Sequence, residues 1–198
     1  GNLNKITFEN NIYKPTTPYA ASRVTADHFL NLLYSQKKIN YSSVRASNVY
    51  GEYQRLYRIV PKTIFSILKN KKINLHGGGI SKRNFIHIDD VSSATFKVMT
   101  SGKNGECYHI SGNSMISIRS LVEKICKKMN YNFKSLVKFS NERKGKDKTY
   151  ILSSKKIQTQ LKWKQKITLD KGLARCIEWL KKNVNSFNNK DLEYKHKK

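Results

Sequence analysis

The chain has 198 residues, 38% of them hydrophobic, and a formal net charge of +26. That length suits one domain or a substantial part of a larger one. No apolar run approaches the roughly 18 residues of a membrane span, and the polar opening Gly1-Asn2-Leu3-Asn4-Lys5 has no signal-peptide core. In chain order, the pattern predicts a helix from Tyr19 to Tyr34, with Ala26, Phe29, Leu30 and Leu33 on one face. A strand at Ser42–Ala46, a turn at Asn48–Gly51 and a helix over residues 59–69, begun near Pro61, follow. Strands at Ile73–His76 and Asn84–Ile88 flank the glycine turn 77–79. Asp89 or Asp90 is expected to cap a helix from Val91 to Thr100. A strand at Cys107–Ile110 precedes a helix that Ser117 caps, whose stripe is Ile118, Leu121, Val122, Ile125, Cys126 and Met129. Short strands at Leu136–Phe139 and Thr149–Leu152 flank a charged loop, and the last helix spans Leu169–Val184. From Asn185 onward the polar, lysine-rich run is expected to be a disordered tail.

Helices alternating with strands give an α/β class. The three cysteines are odd in number and far apart, which predicts reduced thiols and a cytoplasmic setting. Neither cysteine nor histidine spacing forms a metal-ligand pattern, so no metal is expected. Residues 134–198 carry 19 basic and 6 acidic side chains, against 20 and 7 in the first 133, so the C-terminal third is about twice as charge-dense. This raises nucleic-acid binding as a reading. Of the 39 basic residues, however, 31 are lysine, and they make no stripe interleaved with aromatics, which favours an enzyme surface rich in lysine.

Tyr19 and Arg23, four residues apart, share one helix face. A cation so placed favours a tyrosinate, whose ordinary pKa is about 10, and makes the tyrosine a usable base. The segment Pro18-Tyr19-Ala20-Ala21-Ser22-Arg23 is followed by four others. These are Arg45-Ala46-Ser47-Asn48-Val49-Tyr50-Gly51; Arg83-Asn84-Phe85-Ile86-His87-Ile88-Asp89-Asp90-Val91; Gly105-Glu106-Cys107-Tyr108-His109-Ile110-Ser111-Gly112; and Glu142-Arg143-Lys144-Gly145-Lys146-Asp147. Together, and in this order, they resemble the extended short-chain dehydrogenase/reductase family of NAD-dependent nucleotide-sugar epimerases and dehydratases. Asp27-His28 and the Arg143 segment lean toward its dTDP-glucose 4,6-dehydratase subgroup.

The resemblance implies the C-terminal part of a Rossmann-type fold plus a small α/β substrate-binding domain. Residues 1–75 would be the last part of the NAD-binding domain with the tyrosine helix. Residues 76–184 would be mainly the substrate domain, with the chain crossing back to the Rossmann sheet, and 185–198 the tail. Tyr19 takes the place of the catalytic base, and Arg23 stands where the family has lysine. Both would also contact NAD. Asn48, Val60, Lys62, Arg83, His109, Arg143 and Lys146 take substrate-side positions, His109 and Lys146 replacing the family's asparagine and histidine. Arginine's planar fork suits the diphosphate of a dTDP- or UDP-hexose.

No Gly-x-Gly-x-x-Gly turn opens a helix in this sequence, and Gly77-Gly78-Gly79 joins two strands instead. The expectation is therefore a chain inactive alone, whose N-terminal half is either separately encoded or lost to truncation, with a homodimer through the tyrosine helix also implied. The alternatives are a non-catalytic nucleotide-sugar-binding remnant and a basic nucleic-acid-binding protein.

Overall fold

A computed structural model describes residues 6–10, 12–141 and 149–193. Helix α1 (Pro18–Ser35) begins with the Thr17 hydroxyl accepting the Ala20 N–H at 3.1 Å and with Pro18 in the first turn. Strands β1 (Ser43–Ala46) and β2 (Asn48–Tyr50) follow, then α2 (Ile59–Leu68), β3 (Ile73–His76), β4 (Lys82–His87) and α3 (Ile88–Ser101). The remaining elements are β5 (Cys107–Ile110), β6 (Met115–Ser117), α4 (Ile118–Lys128), α5 (Phe133–Leu136), β7 (Val137–Ser140), β8 (Thr149–Tyr150), α6 (Lys155–Leu161) and α7 (Leu169–Asn183). The strands pair as β1 with β5, as β2-β4-β6 with β8 also on β4, and as β3 with β7. All of these pairs are parallel except β4 with β6.

Two apolar cores form. One joins Ile86, Ala94, Val98, Tyr108, Ile110, Ile157 and Trp163, packing α3 and α6 on the β1–β5 pair. The other joins Val60, Ile64, Phe65, Ile73, Leu75, Leu121, Val122, Ile125, Leu173, Ile177 and Leu180, from α2, β3, α4 and α7. Helix α2 and strand β3 pack with α4 and α7, because their inward faces are apolar and meet there, whereas α3, β5 and α6 pack on β1.

Ser117 caps α4 as expected, its hydroxyl accepting the Ser120 N–H at 3.0 Å. Other local expectations change. The turn at 48–51 holds β2, because after Ser47 donates its N–H to Ile110 the chain leaves β5 and pairs with β4. The cap of α3 is His87, whose Nδ1 accepts the Asp89 N–H at 3.2 Å. Asp90 is buried and accepts the Lys166 and Ile167 N–H groups at 2.9 and 3.0 Å, clamping the segment between α6 and α7. On α1, Ala26 and Phe29 are exposed, and the inner face runs through Ala20, Val24 and Asp27. The expected disorder from Asn185 also gives way over its described part. A 3-10 turn spans Val184–Ser186 and another Asn189–Leu192. Phe187 and Leu192 pack on the core, with the Phe187 ring 5.9 Å from Trp179.

Candidate functional site

Helix α1 is held over the β1–β5 pair by polar contacts more than by burial, since none of its residues is buried. Asp27 accepts from Arg45 Nη2 at 2.9 Å. The Arg45 guanidinium lies 4.9 Å over the Tyr13 ring, and its other amino group is 3.5 Å from His109 Nε2. Near the C-terminal end of α1, Tyr34 covers Gly105, where an added Cβ would fall 2.4 Å from the ring. Gly105 has φ +77° and precedes β5, so it favours glycine on both counts. These contacts fix the helix direction. Tyr34 sits toward the start of β5 and Asp27 over the middle of β1. Tyr19, eight residues earlier, projects roughly 12 Å further, toward the carboxyl ends of the strands. In α/β sheets that is the ligand-binding edge.

Tyr19 is 75% exposed and Arg23 is exposed, so both face solvent at that edge. Neither terminal group has a hydrogen bond or ion pair among the described residues. Asn48 opens β2 and donates to the Asn84 carbonyl at 3.1 Å. Asn84 is buried; its amide donates to Gly112 O at 2.7 Å, and its Oδ1 has no partner. Arg83, half-buried, donates from Nη1 to Lys82 O at 2.7 Å. Because Asn48 pairs with Phe85, two residues along β4 from Arg83, Asn48 and Arg83 lie on one face of that sheet.

Two expected substrate residues are buried. Val60 is 1% exposed and packs in the α2 core, and its helix turns Lys62 to the half-exposed side. His109 is 1% exposed, with its backbone N–H donating to Glu9 Oε1 at 2.8 Å. Burial holds the His109 pKa below the usual 6.5, with Glu9 opposing and Arg45 assisting. A neutral imidazole enclosed in this way offers no charge to a diphosphate. Arg143 and Lys146 lie outside the described residues.

Sequence reasoning missed the Asn48-Asn84-Gly112 chain of amides. Its visible signal was Asn84 within the Arg83 motif, and the contact with Gly112 depends on a loop 28 residues away. For a dinucleotide cofactor, the described residues present no glycine turn opening a helix. Gly77–Gly79 form a 3-10 turn between β3 and β4, with Gly79 backed by the Arg119 backbone. Alone, then, they do not fit the pyrophosphate of NAD.

A largely parallel α/β framework with a tyrosine-bearing helix packed along the β1–β5 pair is a Rossmann-like fold of the kind found in NAD-dependent dehydratases and epimerases. The GDP-mannose 4,6 dehydratase family model matches residues 1–176, and the chain belongs to that family. It is similar to human dTDP-D-glucose 4,6-dehydratase, 33% identical over 194 residues, covering 96% of this chain and 55% of the relative. The Shigella flexneri dTDP-glucose 4,6-dehydratase is 28% identical over 184 residues, covering 89% and 51%. Among solved structures, Streptomyces venezuelae dTDP-glucose 4,6-dehydratase with NAD bound superposes with a TM-score of 0.88 at 27% identity, over 92% of this chain and 56% of that one. The chain thus spans about half the length of the curated relatives it matches. No described helix is long and apolar enough to cross a membrane.

Proposed function

We propose that this chain is the substrate-side and tyrosine-helix portion of an NAD-dependent nucleotide-sugar 4,6-dehydratase or epimerase, acting on a dTDP- or UDP-hexose. What supports this reading is the exposure of Tyr19 and Arg23 on one helix, whose direction along the parallel β1–β5 pair carries its N-terminal end toward the carboxyl ends of the strands. Tyr19 is the base that takes the proton of a sugar hydroxyl. Arg23, four residues along the same face, supplies the cation that favours tyrosinate, and its guanidinium never deprotonates at working pH. Arg83 and Arg143 bind the diphosphate through paired N–H donors, while Asn48 and Lys62 border the sugar-nucleotide. The cofactor cradle comes from the half of the relatives that this chain does not span, so the isolated polypeptide binds nucleotide without turning over.

Thermal shift with dTDP and with UDP tests the binding side. Millimolar nucleotide should raise the Tm of the wild type, and less so that of Arg83→Ala. No shift with either nucleotide at that concentration would sink the substrate assignment. Incubation of the isolated chain with dTDP-glucose and NAD tests the other half of the reading, where appreciable turnover would overturn the need for a partner.

A further inference from the structure

Acidic side chains are missing from two stretches of this chain. Residues 53–88 hold eight lysines and arginines and no aspartate or glutamate, and residues 124–141 hold five and none. The fold brings the two stretches together. Strand β3 pairs with β7 so that Asn74 lies opposite Lys138. The Tyr131 hydroxyl donates to Asn70 Oδ1 at 2.6 Å, which fixes the loop before β3 beside the turn between α4 and α5. Lys69 and Lys72 of that loop, Lys127 of α4, Lys134 of α5 and Lys138 of β7 are all exposed, and none has an ion pair among the described residues. Lys124 and Lys128, by contrast, are both paired with Asp170.

One face of the β3–β7 pair is closed, because Ile73 and Leu75 point into the α2–α4–α7 core. The other face carries Asn74 and Lys138, both exposed, and Lys72, two residues before Asn74, continues that side. Parallel sheets are ordinarily covered on both faces. At the edge formed by β7, Phe139 is 57% exposed, with the Arg119 guanidinium 5.7 Å from its ring centroid. Ammonium groups beside an exposed aromatic ring suit a ligand that carries successive phosphates and flat bases. A second copy of this chain docked here about a two-fold axis would set lysine against lysine.

We propose that the open face of the β3–β7 pair binds single-stranded nucleic acid. Lys72, Lys127, Lys134 and Lys138 neutralise phosphates along the strand, and Phe139 stacks a base. The surface is distinct from the nucleotide-sugar site proposed above, since Asn48 and Arg83 lie on the β2–β4 sheet and Tyr19 on α1. The sequence shows no basic stripe interleaved with aromatics because this one is assembled from two distant stretches, and only the pairing of β3 with β7 joins them.

Fluorescence anisotropy of a labelled oligo(dT) of about 16 nucleotides, titrated with the untagged full chain, tests the proposal. Four neutralised phosphates give a slope of about −3 in log affinity against log salt, so binding should weaken roughly sixtyfold between about 50 and about 200 mM salt. Lys72→Ala/Lys138→Ala should weaken binding and reduce the slope by about 1.4 in magnitude. Phe139→Ala should weaken it about fivefold or more. Lys97→Ala/Lys155→Ala, on α3 and α6 in the other core, should leave both affinity and slope unchanged. The thermal shift with dTDP should be the same in Lys72→Ala/Lys138→Ala as in the wild type, which keeps this test separate from that of the nucleotide-sugar site. No anisotropy change at about 50 mM salt would overturn the proposal. So would an equal loss in the Lys97→Ala/Lys155→Ala pair, or a loss confined to Lys195→Ala/Lys197→Ala/Lys198→Ala. Binding to phosphatidylserine vesicles without binding to the oligonucleotide would assign the face to a membrane and overturn it as well.

Discussion

At the residue scale, burial separates side chains that share a motif. Val60 and Lys62 are two apart on α2, yet only Lys62 reaches the surface. Val60→Ala should therefore cost on the order of 2 kcal/mol in urea unfolding while leaving nucleotide binding intact. His109 gives a pH signature. Its folded pKa lies below the unfolded 6.5, so the unfolded chain binds the extra proton. Stability from this group is complete above the unfolded value and is lost as pH falls from there through the folded one. The Tm should drop between about pH 7.5 and about pH 5, and drop less in His109→Asn. An equal fall in both proteins would remove His109 as the cause. Gly112 carries a different constraint. An added Cβ would lie 2.0 Å from the Phe85 carbonyl oxygen, so Gly112→Ala should destabilise by about 3 kcal/mol, read as a lower urea midpoint.

At the element scale, α1 depends on a few polar contacts. Asp27→Asn weakens the tie to Arg45, so the α1 amides should exchange hydrogen faster while those of α7, whose inner face is buried, stay unchanged. Equal protection in both proteins would show that the ion pair does not hold the helix. The same helix shows how far sequence carries. Thr17 and Pro18 announce its start through local chemistry, and Ser117 does so for α4. The inward face of α1, by contrast, holds Leu30 and Leu33 but not Ala26 and Phe29, because apolar spacing alone does not say which stripe meets the sheet. Asp89 and Asp90 looked like equivalent caps. Only tertiary contact shows that His87 caps α3 and that Asp90 clamps Lys166 and Ile167. Helix α6 has only Ile157 and Leu161 to announce it in a short lysine-rich run. The motifs marked Tyr19, Arg23, Asn48 and Arg83 by order along the chain, whereas the burial of His109 and the Asn84–Gly112 bond arise between distant segments.

At the scale of the whole molecule, the two cores are unequally complete. The α2–α4–α7 core encloses its apolar faces. The β1–β5 pair is a two-stranded parallel sheet, and parallel sheets are ordinarily covered on both faces and extended by further strands. Phe29 and Leu32 of α1 are 58% and 51% exposed, and Phe96 and Met99 of α3 are 63% and 70% exposed. On our reading, a glycine-rich α/β half docks here, supplying both the missing cover and the cofactor cradle. The decisive measurement is turnover of dTDP-glucose with NAD after co-expression of this chain with the N-terminal half of a dTDP-glucose 4,6-dehydratase. The proposed role requires product from the pair, none from either half alone, and at least about a hundredfold loss when Tyr19→Phe replaces the wild type. Undiminished product from the Tyr19→Phe pair, or no product from a pair shown to associate, would contradict it.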